Sequence, residues 1–218
     1  LPGRQHPFRA QVTRPLRILV FSSLFPSAAA PTAGTFIRER MFRVARHVPL
    51  VVVAPQPWSP FDPLVRLLRR SFRPMAAEHE VVDGIHVHRP RFFSLPGIGK
   101  RGDGWLMAMG ARATVRKLAA TFRPNVVDAH FLYPDGFAAS LLARELDLPL
   151  TVTLRGSKDE WLIGTDREPM LRATMERATR LISVSAALRK KVAVRLGIDA
   201  GKVTVVGKGV DLPKFELV

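Results

Sequence analysis

The feature that most restricts this chain is an alternation. Seven short runs rich in apolar residues, at 17–23, 50–54, 85–89, 126–130, 150–154, 180–184 and 203–206, are separated by stretches with helical spacing. The runs at 17–23 and 50–54 are near-continuously apolar, as strands covered on both faces are. The helical patterns fall at 36–45, 64–72, 105–122, 136–146, 168–178 and 185–196, the last closed by Gly197. About seven such alternations predict an α/β fold with a doubly wound, mostly parallel sheet. In sheets of that kind ligands bind outside the carboxyl ends of the strands, where strand order reverses. The positions to weigh are therefore Ser22-Ser23, Ala54-Pro55, Asp128-Ala129-His130, Arg155-Gly156-Ser157 and Ser183-Val184-Ser185.

Size and charge narrow the function classes. A chain of 218 residues, 47% hydrophobic, can bury a core and is too apolar for a disordered segment. With no Cys there is no disulfide framework, thiol nucleophile or Cys-ligated metal. No apolar run approaches the ~20 residues of a membrane span. The formal charge of +16 opens three partner classes: phosphorylated small molecules, anionic lipid and nucleic acid. Zinc ligands and RNP aromatics are missing, so no specific nucleic acid is expected. Leu64, Val65, Leu67, Leu68 and Phe72 interleave with Arg66, Arg69, Arg70 and Arg73, a basic amphipathic stretch suited to an anionic membrane surface. Residues 1–15 read as a basic arm without the apolar region of a secretory signal. A cytoplasmic location follows, with peripheral attachment to the inner face of the membrane.

Few motifs carry chemistry. Gly97-Ile98-Gly99-Lys100-Arg101-Gly102 has G-x-G-x-x-G spacing, but residues 90–96 separate it from the preceding strand, so it reads as a flexible loop. His86 and His88 share a strand face and could chelate a metal, yet no third ligand is near in sequence, and a partly exposed strand pair is favoured. Neither a G-x-S-x-G elbow nor a G-x-x-x-x-G-K-[ST] loop is present. The loop at Gly34-Thr35 opens the first helix, where backbone amides can meet a phosphate. Arg155, Gly156 and Ser157 directly follow a strand and suit a phosphate or a sugar hydroxyl; the alternative is an Arg155 paired with Asp159. Asp128 and His130 end a neighbouring strand and can reach the same crevice.

These segments, taken in order, resemble a known family. Residues 17–26 and 31–40, Asp128 to Gly136, Thr153 to Ser157, Ile182 to Leu188 and Gly207 to Asp211 together look like the N-terminal domain of a GT-B glycosyltransferase of the family 4 type. The resemblance implies a Rossmann-like domain that mainly holds the acceptor, facing a second domain that holds the nucleotide-sugar donor. It implies sugar transfer with retention to a glycan or lipid-linked acceptor, without a required metal or other cofactor. On that basis Arg155 and His130 are the candidate catalytic residues. Gly34, Thr35, Asp128, Asp135, Gly136, Gly156, Ser157 and Ser185 are the candidate binding residues. The implied layout is an arm at 1–15, the acceptor-side domain at 16–206 and the start of an interdomain junction at 207–218. A chain ending there lacks the donor domain and is expected to be inactive alone. Two departures stand out: Lys158 where a similar branch has Asp, and Lys208 where the junction usually has Asn. Glu160 and Glu168 match the spacing of the donor domain's acidic pair by chance, since they lie in the wrong domain.

Overall fold

The computed structural model describes residues 15–70 and 72–207; the basic arm before Pro15 and the Lys208-Gly209-Val210-Asp211 junction lie outside the described residues. In chain order the elements are β1 (Ile18–Phe21), α1 (Thr35–Ala45), β2 (Leu50–Val53), β3 (Gln56–Trp58), α2 (Asp62–Leu68), β4 (His79–Val82), β5 (Ile85–His88) and β6 (Arg91–Phe93). There follow α3 (Asp103–Thr121), β7 (Val126–His130), α4 (Phe137–Glu145), β8 (Leu150–Leu154), α5 (Ser157–Trp161), α6 (Glu168–Arg177), β9 (Arg180–Ser183), α7 (Ala186–Leu196) and β10 (Val203–Val205).

All seven sequence runs enter one eight-stranded sheet of order β10-β9-β8-β7-β1-β2-β5-β4, parallel except for the β4–β5 pair. β1 and β2 are buried throughout, as their unbroken apolar sequences require. Successive side chains alternate between two cores. Leu19, Phe21, Val51, Val53, Val127 and Ala129 belong to the core shared with α3, α4, α6 and α7. Ile18, Val20, Val52 and Val87 face Ile37 and Met41 of α1 on the other side. The chain steps from β1 outward to β2, then returns to place β7 on the opposite side of β1. That reversal is the switch point of a doubly wound sheet.

Three strands were not read from sequence. β4 alternates exposed and half-buried residues at the sheet edge, too weakly apolar to signal. β3 and β6 form a separate parallel pair. Pro57 sits in an edge strand where its missing N–H costs nothing, and Gln56 N donates to Pro90 O at 2.9 Å. The Gly97–Gly102 loop is pinned at its far end: Tyr133 Oη lies 2.7 Å from both Lys100 O and Arg101 O, which share its single proton, and accepts from Gly104 N at 3.1 Å.

Candidate functional site

Two loops leave the sheet beside the switch point. After β7, Phe131 adopts φ 72° and ψ 150° before the chain turns through Leu132–Gly136 into α4. A non-glycine residue there costs about 1–3 kcal/mol and persists only when its surroundings fix it. Phe131 N donates to Thr153 O at 2.9 Å, and Phe131 O accepts from Gly136 N at 3.1 Å. After β8, Gly156 takes φ 141° and ψ −145°, and α5 opens at Ser157.

Asp159 of α5 staples the two loops. One carboxylate oxygen accepts from Leu132 N at 2.7 Å and the other from Arg155 N at 2.9 Å. Its side chain is wholly buried, and burial pushes the carboxyl up to about 6, against the pull of those two amides and of Lys158. Asp135 ties in the loop after β1 by accepting from Ser23 N. Burial also raises the Asp135 carboxyl, with Lys158 and Ser23 opposing.

The Arg155 guanidinium does not pair with Asp159. It turns to His130, placing Nε 3.3 Å and Nη2 3.0 Å from the imidazole Nδ1, and lies 5.5 Å from the centre of the Phe36 ring. Burial and the nearby Arg40 draw the guanidinium down to about 10, so it stays charged at neutral pH. A guanidinium only donates, so Nδ1 accepts and the imidazole proton sits on Nε2. Burial, then Arg155 and Arg40, hold the His130 pKa well below its usual value, which keeps the ring neutral. His130 Nε2 is buried without a hydrogen-bond partner; Asp128 Oδ2 is 3.8 Å away, too far to accept. Thr153, in register with His130, leaves its hydroxyl unpaired, and so does Oδ2 of Asp135. Asp128 instead accepts from Thr151 Oγ1 at 2.7 Å, and burial raises its carboxyl. Three unsatisfied buried polar atoms so close to the strand ends are what a polar ligand would complete.

The remaining expected residues divide. Gly34 caps α1 at φ 70°, and a Cβ there would fall 2.2 Å from Leu24 O; Thr35 begins the helix whose Phe36 meets Arg155. The first loop and Arg155 are thus brought together, and Gly34 is required by packing as well as by conformation. Gly136 faces inward, where a Cβ would sit 2.5 Å from Phe131 O. Ser185 caps α7, accepting from Leu188 N at 3.1 Å, and joins none of the contacts around His130. Glu168 accepts from Gly164 N at 2.7 Å and pairs with Arg172, while Glu160 meets Lys191 at 3.4 Å; both are local struts. Sequence reading gave Asp159 no role but ion-pairing and overlooked Thr153 and Arg40. The four-residue spacing of Arg155 and Asp159 across a strand end was the available hint.

The profile described as Glycosyltransferase Family 4 matches residues 101–214, just over half of the chain. The chain belongs to glycosyltransferase family 4. TuaC of Bacillus subtilis (strain 168), named as a glycosyltransferase of teichuronic acid biosynthesis, is 28% identical over 145 residues, covering 65% of this chain and 36% of that protein. This family 4 chain therefore spans about a third of the length of that curated relative. Among solved structures, HepE of Anabaena in complex with UDP superposes at a TM-score of 0.55 with 13% identity, over 94% of this chain and 47% of that one. The UDP-GlcNAc 2-epimerase of Methanocaldococcus jannaschii superposes at 0.50 with 14% identity, over 89% and 46%. These likenesses fix the fold of the family 4 chain as Rossmann-like, of the kind found in GT-B enzymes.

Proposed function

We propose that this chain is the acceptor-side half of a retaining glycosyltransferase. In that reading it moves a sugar from a nucleotide-sugar donor to a glycan or lipid-linked acceptor. The observation that carries the reading is the His130 Nε2 proton, buried without a partner, beside the charged Arg155 at the switch point. A neutral imidazole donor and a guanidinium suit a sugar hydroxyl and a phosphate oxygen. As the bond from sugar to nucleotide breaks, negative charge grows on the departing phosphate, and preorganised donors stabilise it. The Gly34 loop, lying against Arg155 through Phe36, is where the donor phosphates would approach. The UDP of the HepE complex and the nucleotide sugar named for the epimerase support a nucleotide-sugar donor here as well.

Catalysis needs both reactants held in one geometry, and that is worth ~7–11 kcal/mol of barrier in favourable cases. Residues 1–218 hold one wall of such a cleft, so the chain alone is expected to give no transfer product by mass spectrometry with any sugar nucleotide. Product above the background of heat-treated protein would overturn this.

The acceptor side also has a membrane reading. Among the described residues no helix is long and apolar enough to cross a membrane. On α2, however, Leu64, Leu67 and Leu68 are 63%, 79% and 88% exposed, next to Arg69 and Arg70. The helix is held in that pose by Asp62, which accepts from Ser59 N and Oγ at 3.0 and 2.6 Å and pairs with Arg73 at 3.1 Å. Vesicles containing anionic lipid are expected to sediment the chain, and Leu67→Asp with Leu68→Asp to abolish this. Equal binding to neutral and anionic vesicles would sink the electrostatic part of the reading.

A further inference from the structure

The pair His86 and His88 acquires a third member in the folded chain. β4 runs antiparallel to β5 and sets His79 opposite His88. The three rings share the sheet face opposite α1, with centres 4.6 Å (His79–His88), 5.3 Å (His79–His86) and 6.5 Å (His86–His88) apart. They line a groove of about 720 Å³ between this sheet edge and α3, together with Lys117, Arg91 and Arg17. Gly110, Thr114, Lys117 and Thr121 mark its α3 wall at about one-turn intervals, so it runs on the order of 16 Å. Its one carboxylate, Glu78, is engaged with Arg91 at 3.3 Å. Arg17 stacks over Phe122 at 4.6 Å and leaves a buried Nε without a partner at the far end. Arg89 also borders the groove, but its guanidinium turns to the other face, where Nη2 donates to Glu80 and Pro26 O while Nη1 is buried without a partner. Past His86, the neighbouring hollow adds Asp83 and, from α1 and its end, Arg38, Glu39, Arg43 and Arg46.

A cation does not suit this groove. Among the described residues no three His, Asp or Glu side chains are arranged to hold a metal ion. His79 Nε2 and His86 Nδ1 stand 3.1 Å apart, so one must donate and the other accept, and at least one ring is neutral. Were both facing nitrogens to carry a proton, that hydrogen bond would be lost and Lys117 would add to the repulsion. An anion laid along the groove would relieve it. From this geometry we infer that the groove between β4, β5 and α3 is a binding site for an extended phosphate-bearing anion, loaded in acid and released as the pH rises. Burial holds the His88 pKa below its ordinary value, and His79, His86 and Lys117 add to this. Anion binding favours the protonated ring and must raise that pKa, so affinity grows as the pH falls. The groove lies on the sheet face opposite His130 and Arg155, and its failure would leave the transferase reading untouched.

The test uses the 218-residue chain with inorganic phosphate and tripolyphosphate as probes, followed by calorimetry and by NMR of the His88 ring. Tripolyphosphate is expected to bind more tightly than phosphate and about tenfold more weakly near pH 8 than near pH 5.5. It should raise the His88 midpoint by about one unit. His79→Ala and Lys117→Ala should each weaken binding severalfold, and Arg189→Ala on α7 should not. Affinity independent of pH, an unmoved His88 midpoint, or an equal loss in Arg189→Ala would show general attraction to a basic protein and overturn the site. A His88 signal that answers to zinc but not to tripolyphosphate would overturn it too.

Discussion

Asp159→Ala destabilises the fold by an amount that depends on pH, and the largest loss falls in acid. The substitution orphans two buried amides, those of Leu132 and Arg155. Each unpaired buried donor costs about 1–3 kcal/mol, so near pH 4 the loss is roughly 2–6 kcal/mol. The carboxyl has its own dependence, with the opposite sign to a salt-bridged acid. Burial raises its folded pKa to about 6, above the ordinary Asp value of 3.8. The stability it contributes is complete below the unfolded pKa and drains away as the pH rises through the folded one. About two units at 1.4 kcal/mol each make roughly 3 kcal/mol lost by the native protein between about pH 4 and about pH 7.5. Asp159→Ala escapes that loss, so its penalty shrinks by about the same amount near neutrality. Asp159→Asn keeps one acceptor and should fall between. Urea denaturation at both ends of the window measures this directly. A penalty that is flat with pH would mean that the carboxyl is solvated, not buried between the loops.

The staple explains which parts of the site the sequence could disclose. β1 and β2 are plain because a strand covered on both faces favours continuous apolar residues, while β7 and β8 keep apolar and β-branched residues around Asp128, His130, Thr151 and Thr153. Their carboxyl ends then pointed to His130, Arg155 and Asp128 by topology alone. The contacts among these residues were not legible. Asp159 seemed a partner for the Arg155 guanidinium four residues away. In the fold its oxygens take backbone amides from two loops, one of which lies 27 residues earlier. Gly34 seemed a door for phosphate; the fold adds a second demand, the carbonyl of Leu24 pressed against its missing side chain. Gly136, chosen on resemblance, is accounted for by packing against Phe131 O. His79 stayed invisible because nothing in a short, half-exposed strand announces its antiparallel partner.

Arg155→Met should cost more in function than in stability. The guanidinium does two things for His130: it can only donate, so it forces Nδ1 to accept, and its charge adds to burial in keeping the ring neutral. Methionine approximates the length and fills the space against Phe36, yet it supplies neither effect. His130 then loses the contact that selects the Nε2–H tautomer and becomes easier to protonate. In the 218-residue chain, imidazole NMR should show the His130 titration moving up, with burial, the larger effect, and Arg40 still opposing. Arg155→Lys restores charge but not the paired approach of two nitrogens, and it should recover the low titration while leaving the tautomer mixed. In the proposed transferase, loss of one preorganised donor at the departing phosphate should lower kcat by about 10²–10³. The two readouts separate the roles. An unchanged His130 titration in Arg155→Met would remove the coupling between the two residues. A rate that survives Arg155→Met would remove the guanidinium from the transition state, whatever the imidazole does.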